Sequence, residues 1–146
     1  MFCTTHKSKI KAVLDAVNME KTDKLIDLGC GDGRFIKAAV KRYGLSGTGY
    51  EVNPFARVIA RFRTAGVKGA EISGKNFWDV SFNDADFIFC YLFPDIMARL
   101  AEKASSEMKE GARLISCNFE LPGWIPERVI RSGDSNNDDP IFVYKK

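Results

Sequence analysis

The sequence predicts an α/β fold with a doubly wound, mainly parallel seven-stranded sheet that has an antiparallel C-terminal edge. Short apolar segments with strand character alternate with segments of helical apolar spacing through residues 8–119. A glycine-rich turn joins the first strand to the next helix, and after residue 119 two strands follow without a helix between them. Strand–helix alternation with right-handed crossovers is typical of such Rossmann-like folds.

The spacing of apolar residues sets the expected elements in order. Helices are predicted for 8–18, 34–43, from 53 onward and 94–108, and strands for 24–28, 47–52, 67–72, 86–92, 112–119, 127–132 and 141–145. In the third helix, Phe55, Val58, Ile59 and Phe62 show the helical spacing. We expect one domain over 1–146, with an N-terminal helix in 1–20, an α/β core in 21–119 and a strand pair in 120–146.

Composition excludes several classes of function. The net charge of +3, from 22 basic and 19 acidic residues, is too small to indicate a nucleic-acid partner. The chain has a single histidine, His6, and four cysteines without a CxxC spacing, so no metal site is expected. Cys90 and Cys117 lie in apolar runs and are predicted to be buried thiols, which favours a reducing compartment.

No targeting or membrane segment is predicted. The first residues lack the apolar core of a signal peptide. The longest uncharged apolar run, 87–94, is far shorter than the roughly 20 residues needed to span a bilayer. We therefore expect a soluble cytoplasmic protein.

Polar and glycine residues follow the carboxyl ends of several predicted strands. The segment 27–33 follows the first strand, Glu51 ends the second, Asn76 lies in a loop after the third, and 91–94 follows the fourth. Because ligands of doubly wound sheets bind outside the carboxyl ends of the strands, these residues are expected to line one site.

The glycine spacing narrows the class of ligand. A dinucleotide fingerprint needs G-x-G-x-x-G, but counting from Gly29 the last position is Arg34. The Lys-Ser/Thr ending of a phosphate-binding loop is also absent. Neither simple dinucleotide binding nor a phosphate loop is therefore expected.

The D-x-G-x-G-x-G pattern, followed by Glu51 22 residues after Gly29, resembles class I S-adenosylmethionine-dependent methyltransferases. The resemblance implies that Gly29, Gly31 and Gly33 let the loop approach the cofactor. It also implies that Asp27 orients the loop or meets the cofactor's amino group. Glu51 would then accept hydrogen bonds from both ribose hydroxyls.

Longer patterns narrow the resemblance to one family. D-L-G-x-G-D-G-R at 27–34, G-Y-E-x-N-P at 49–54 and C-x-F-x-x-P-x-W-x-P at 117–126 resemble the small protein lysine methyltransferases of archaea and their mitochondrial relatives. The resemblance implies a protein substrate and methyl transfer to lysine by in-line displacement, without a metal. Family members often have aspartate where this chain has Asn76, whose carbonyl oxygen can still accept from adenine.

The same resemblance suggests roles for four aromatic residues. Phe77 is assigned to the adenine, Trp78 and Phe93 to the wall of the acceptor site, and Tyr91 to the methyl-transfer centre. Phe77 and Trp78 can alternatively be core residues that close the edge of the sheet. The alternative functions are a small-molecule or RNA methyltransferase on the same fold, or a cofactor-binding module without catalysis.

Overall fold

The computed structural model describes residues 4–146; residues 1–3, which include Cys3 and belong to the predicted N-terminal segment, lie outside the described part. The helices are α1 (Lys7–Ala16), α2 (Arg34–Tyr43), α3 (Pro54–Thr64) and α4 (Met97–Glu107), with 3-10 turns at Phe77–Asp79 and Pro94–Ile96. The strands are β1 (Lys24–Leu28), β2 (Ser46–Tyr50), β3 (Ala70–Ser73), β4 (Phe87–Cys90), β5 (Arg113–Cys117), β6 (Arg128–Ile130) and β7 (Ile141–Lys145).

The seven strands form one sheet in the order β3-β2-β1-β4-β5-β7-β6. Strands β1 to β5 pair in parallel, and β7 is antiparallel to both β5 and β6. The predicted α/β class and the antiparallel C-terminal edge are thus confirmed. The last strand of the chain lies inside the edge, because β7 inserts between β5 and β6.

The helices cover the two faces of the sheet. Helices α1 and α2 bury apolar residues in one cluster, where Phe35 of α2 stacks on Phe89 of β4 with ring centroids 3.7 Å apart. Helix α4 packs into the second cluster on the opposite face. All four residues of β4 are buried, as expected for a strand covered on both faces.

Helix α3 exposes its large apolar side chains. Phe55, Val58, Ile59 and Phe62 are 81%, 65%, 47% and 86% exposed. The helix instead packs through small residues, Ala56, Ala60 and Thr64. The helical spacing correctly predicted a helix here, but the apolar stripe points to solvent rather than to the core.

Element boundaries differ from the predictions where side chains end an element. Strand β2 ends at Tyr50, one residue before Glu51. Strand β5 ends at Cys117 because Asn118 adopts a left-handed conformation with φ 71°, which breaks the extended backbone. The helix expected from residue 94 starts as the 3-10 turn and becomes α-helical at Met97. Among residues 4–146, no helix is both long and apolar enough to cross a bilayer.

Substituting Gly33 with alanine is expected to destabilise the protein more than the same change at Gly123. Both glycines have φ +80°, so both variants carry left-handed strain, which costs about 1–2 kcal/mol. A Cβ at Gly33 would also lie 3.1 Å from the Ala60 Cβ and 3.2 Å from its Cα, which adds about 1–3 kcal/mol of overpacking, whereas a Cβ at Gly123 meets nothing within 4 Å. Urea unfolding measures the difference, and equal losses would show that the close packing of α2 on α3 contributes nothing.

Candidate active site

The loop after β1 turns sharply at its glycines. Gly29, Gly31 and Gly33 have φ values of 72°, 57° and 80°, a region that residues with a Cβ rarely adopt. A Cβ at Gly29 would lie 3.4 Å from Leu92 Cδ2, so the loop passes close to the segment after β4. The structure therefore brings the carboxyl ends of β1 and β4 together, as the topology predicted.

Glu51 ties the glycine loop to the start of α3. Its Oε1 accepts a hydrogen bond from the Gly31 N–H at 2.8 Å, and its Oε2 accepts from the Asn53 N–H at 3.0 Å. The side chain is buried, with 5% exposure. A carboxylate oxygen can accept more than one hydrogen bond, so both oxygens retain capacity for hydroxyl donors.

Asp27 is a buried carboxyl group next to other acidic groups. It lies one residue before the end of β1 and is 3% exposed. Burial raises its pKa well above the usual range, and the negative charges of Glu51 and Asp32 raise it further. Such a carboxyl group is suited to a cationic ligand, because a bound positive charge would stabilise its ionised form.

Asp32 and Gly33 organise the second half of the loop. The Arg34 Nη2 lies 2.7 Å from the Asp32 Oδ2, and the Arg63 Nη2 lies 3.5 Å from the same oxygen. Asp32 is 6% exposed, so this ion pair is buried on its acidic side. Gly33 packs against Ala60 of α3, so helix packing requires a glycine there whether or not it contacts a ligand.

Asn76 begins the 3-10 turn that carries the next two candidates. Its side-chain Oδ1 accepts from the Trp78 N–H at 3.0 Å, and the residue is exposed. The rings of Phe77 and Trp78 are 4.7 Å apart, and both are half-buried against the cluster under α4. The Arg99 guanidinium lies 4.1 Å from the Trp78 ring centre. Trp78 is thus partly a packing residue.

Tyr91 follows β4 and belongs to a polar cluster that sequence analysis missed. The Asn118 Nδ2 donates to the Tyr91 hydroxyl at 3.0 Å, and the Lys9 ammonium lies 5.4 Å from the Tyr91 ring centre. Lys9 also hydrogen-bonds the Asn118 Oδ1 and lies 3.7 Å from the Asp139 carboxylate. Its side chain is only 4% exposed.

Two sequence signals could have identified this cluster. Lys9 lies four residues before Val13 and eight before Val17, on the row of α1 that faces the core. Asn118 directly follows β5 at the same edge of the sheet as Tyr91. Phe93, assigned to the acceptor site, is 48% exposed beside them in the chain, just before the turn at Pro94–Ile96.

The cysteines are unsuited to nucleophilic chemistry. Burial raises the pKa of Cys30, Cys90 and Cys117, to about 12 in the case of Cys90. All three are free buried thiols, which confirms the burial predicted for Cys90 and Cys117. Within residues 4–146, no group of three or more His, Cys, Asp or Glu side chains is arranged to hold a metal ion.

The arrangement suits a cationic ligand that also bears hydroxyl groups. Asp27 offers a buried acid, Glu51 offers two acceptor oxygens, and the glycines expose loop backbone. These features fit S-adenosylmethionine, which combines a sulfonium, an amino group and a ribose. The fold and this edge together define a class I S-adenosylmethionine-dependent methyltransferase.

Known proteins identify the family. A sequence model of the family described as the ANTKMT methyltransferase domain matches residues 27–128. The chain is 31% identical over 147 residues to a protein-lysine N-methyltransferase of Saccharolobus islandicus, covering 98% of this chain and 91% of that protein. The chain therefore belongs to the ANTKMT methyltransferase domain family, and its cofactor is S-adenosylmethionine.

Mouse relatives are longer. A mouse lysine N-methyltransferase named for a component of ATP synthase is 35% identical over 139 residues, which cover 92% of this chain and 54% of that protein. The mouse adenine nucleotide translocase lysine N-methyltransferase is 35% identical over 124 residues, covering 83% of this chain and 52% of that protein. The chain thus spans about half the length of these mammalian relatives.

Solved structures support the same fold and cofactor. An RNA methyltransferase from Salinibacter ruber in complex with S-adenosyl-L-homocysteine superposes with a TM-score of 0.88 at 26% identity, covering 98% of this chain and 93% of that one. An S-adenosylmethionine-dependent methyltransferase from Thiobacillus denitrificans has a TM-score of 0.70 at 19% identity, covering 84% of this chain and 54% of that one.

Proposed function

We propose that this protein transfers methyl groups from S-adenosylmethionine to lysine side chains of proteins. The observation that carries the proposal is the carboxyl edge of the sheet, where the loop held by Glu51 lies beside the segment containing Tyr91. The archaeal relative that this chain spans almost completely is a protein-lysine N-methyltransferase, which supports lysine as the acceptor.

Cofactor recognition is assigned to the loop and the residues around it. Asp27 would meet the amino group, and the backbone at Gly29, Gly31 and Gly33 would allow close approach. Glu51 would accept from the ribose hydroxyls while it holds Gly31. Asn76 and Phe77 would contact the adenine, the former through the remaining acceptor capacity of its capping oxygen.

The acceptor site is assigned to Tyr91, Phe93 and Trp78. When bound, S-adenosylmethionine supplies a methyl group on a sulfonium, and the protein's task is to align an amine nitrogen with the S–CH3 bond. The hydrogen bond from Asn118 fixes the Tyr91 hydroxyl at the carboxyl end of β4. The aromatic walls exclude water, which favours the neutral form of a lysine acceptor.

Lys9 is assigned the role of a positioning residue. It holds Asn118, which in turn holds Tyr91. Its ammonium also places a positive charge within 5.4 Å of the Tyr91 ring centre. A nearby like charge disfavours an ammonium, so Lys9 would lower the pKa of an acceptor lysine beside Tyr91.

Replacing Lys9 with methionine is expected to lower kcat about tenfold and to move the pH optimum upward by about one unit. Without the charge of Lys9, the acceptor amine stays protonated to higher pH, so the reaction needs a more alkaline medium. Cofactor affinity should stay unchanged. Lys11→Met is the matched control, because the Lys11 side chain is 77% exposed on the same helix. An unchanged pH profile in Lys9→Met would contradict the role assigned to Lys9.

Labelling of cell extract tests the proposed substrate class. The full chain is incubated with extract and S-adenosylmethionine carrying a radioactive methyl group, and the macromolecular fraction is then digested with protease or ribonuclease. The proposal predicts label that protease releases and ribonuclease does not. Label only in RNA or in small metabolites would contradict it, as would cofactor binding without any labelled product.

RNA methylation is the second candidate function. It is favoured by one observation, the similarity to the Salinibacter ruber RNA methyltransferase at 26% identity over nearly the whole chain. The ribonuclease arm of the labelling experiment distinguishes it from lysine methylation. A cytoplasmic location is also part of our proposal, and the three free buried thiols support a reducing compartment.

A further inference from the structure

The exposed face of α3 is built from large apolar residues. On a helical projection of 100° per residue, Phe55, Val58, Ile59 and Phe62 fall within one arc of about 100°. The arc lies opposite the buried small residues of the helix. Val52, just before the helix, is 59% exposed as well. Helix α3 therefore turns its most hydrophobic side away from the protein, and large apolar patches of this kind mark interaction sites.

Arginines border the apolar arc on both sides. Arg61 falls on one side of the arc and Arg63 on the other, and both are exposed. Helices α2 and α3 together contain seven arginines and lysines and no acidic residue. Since the whole chain has 22 basic and 19 acidic residues, the rest of it has fifteen basic residues against nineteen acidic ones. The positive charge is thus concentrated on these two helices.

A basic groove continues this surface. The groove lies between α1 and α2, is lined by cationic side chains of both helices such as Lys11, Lys37 and Lys41, and also reaches Arg63 of α3. Asp15 partly neutralises it through its ion pairs with Lys11 and Arg42. An apolar ridge therefore lies next to an extended positive field.

We propose that the apolar arc of α3 and the adjoining basic groove form a docking surface for a lipid bilayer that contains anionic phospholipids. Apolar residues flanked by arginines are the pattern of helices that lie in a membrane interface, with the apolar face in the acyl boundary and the cations at the phosphates. This surface lies next to the cofactor edge, because α3 begins three residues after Glu51.

Charge argues against a second copy of the chain as the occupant. A two-fold contact through α3 would bring its arginines towards those of the other copy, and neither α2 nor α3 provides an acidic residue to compensate. Nucleic acid would satisfy the arginines but not the aliphatic side chains of Val52, Val58 and Ile59, since its phosphate backbone offers no apolar surface to bury them. An anionic bilayer satisfies both parts of the surface.

Vesicle sedimentation tests the proposal on the full chain, without cofactor or acceptor, so its outcome is independent of the proposed function. Wild-type protein is expected to sediment with vesicles of phosphatidylcholine and phosphatidylglycerol, and much less with phosphatidylcholine alone. The double variant Phe55→Ser/Phe62→Ser should lower the partition about tenfold or more. Arg61→Glu should lower binding to the anionic vesicles, with a weaker effect at high salt.

Matched variants outside the surface serve as controls. Ile125→Ser/Val129→Ser removes two other exposed apolar side chains, 90% and 50% exposed, and Lys145→Glu reverses an exposed charge on β7. Wild-type partition in both supports the proposal. Equal losses in the α3 and control variants would overturn it. So would a dimer in analytical ultracentrifugation that Phe55→Ser/Phe62→Ser dissociates, or retention on RNA without vesicle binding.

Discussion

Replacing Asp27 with asparagine is expected to raise the unfolding temperature while weakening S-adenosylmethionine binding about 10- to 100-fold. The loss of affinity corresponds to a lost hydrogen bond to a charged group, about 1.5–3 kcal/mol. The stability gain arises because burial and the charges of Glu51 and Asp32 raise the pKa of Asp27 and so penalise its ionised form. Thermal unfolding and titration calorimetry on the cofactor-free protein measure the two effects.

The pH dependence of this stabilisation has a defined sign. In the folded state the pKa of Asp27 is raised, so the folded protein holds this proton to higher pH than the unfolded chain. The wild type therefore loses stability as pH rises from about 4 through the raised pKa. The advantage of Asp27→Asn should be absent near the lower limit and complete above the raised pKa. Wild-type cofactor affinity should increase over the same interval, and that of Asp27→Asn should not.

Asp86→Asn is the matched control for Asp27→Asn. Burial alone would raise the pKa of Asp86, but hydrogen bonds from the Lys109 ammonium and the Lys24 N–H lower it, at 2.7 and 2.8 Å. Asp86 precedes β4, at the end of the sheet opposite the candidate site. Asp86→Asn should therefore destabilise the protein at neutral pH and leave cofactor affinity unchanged. A lower unfolding temperature for Asp27→Asn would contradict the strain assigned to that carboxyl group.

Replacing Glu51 with glutamine is expected to weaken cofactor binding about 100-fold or more and to lower the unfolding temperature. The carboxylate accepts from the N–H groups of Gly31 and Asn53, one on each oxygen. A glutamine has only one acceptor oxygen, so its NH2 group must face one of these donors and break that bond. The loop then loses its link to β2 or to α3, and one ribose hydroxyl loses its acceptor.

Glu71→Gln provides the comparison for Glu51→Gln, because Glu71 is an exposed residue of the neighbouring strand β3. It should bind the cofactor and unfold as the wild type does. Calorimetric affinity of Glu51→Gln within about threefold of wild type would mean that the carboxylate carries neither the loop nor the ribose.

The parts of the site that sequence analysis predicted depend on local chain geometry. The glycine turn after β1 and the position of Glu51 after β2 follow from strand ends, and parallel pairing places those ends at one edge of the sheet. The fold class was predictable for the same reason, since alternation of strands and helices leaves few topologies. The position of β7 between β5 and β6 is a long-range pairing that neither strand's own sequence encodes.

The unpredicted features depend on which surfaces meet. Apolar spacing shows that α3 is a helix, but it cannot show that Ala56 and Ala60, rather than Phe55 and Phe62, face the sheet. The Lys9–Asn118 hydrogen bond joins residues 109 positions apart. Its partners are recognisable only once α1 and β5 are placed against each other.

Acid hydrolysis of the labelled protein product tests the central claim most directly. The full chain is incubated with protein acceptors and S-adenosylmethionine carrying a radioactive methyl group, the labelled protein is hydrolysed to amino acids, and these are separated by chromatography. Our account predicts that the label elutes with N-methylated lysine and that Glu51→Gln loses most of it. Label in methylarginine or in any other amino acid, with none in methylated lysine, would contradict the account.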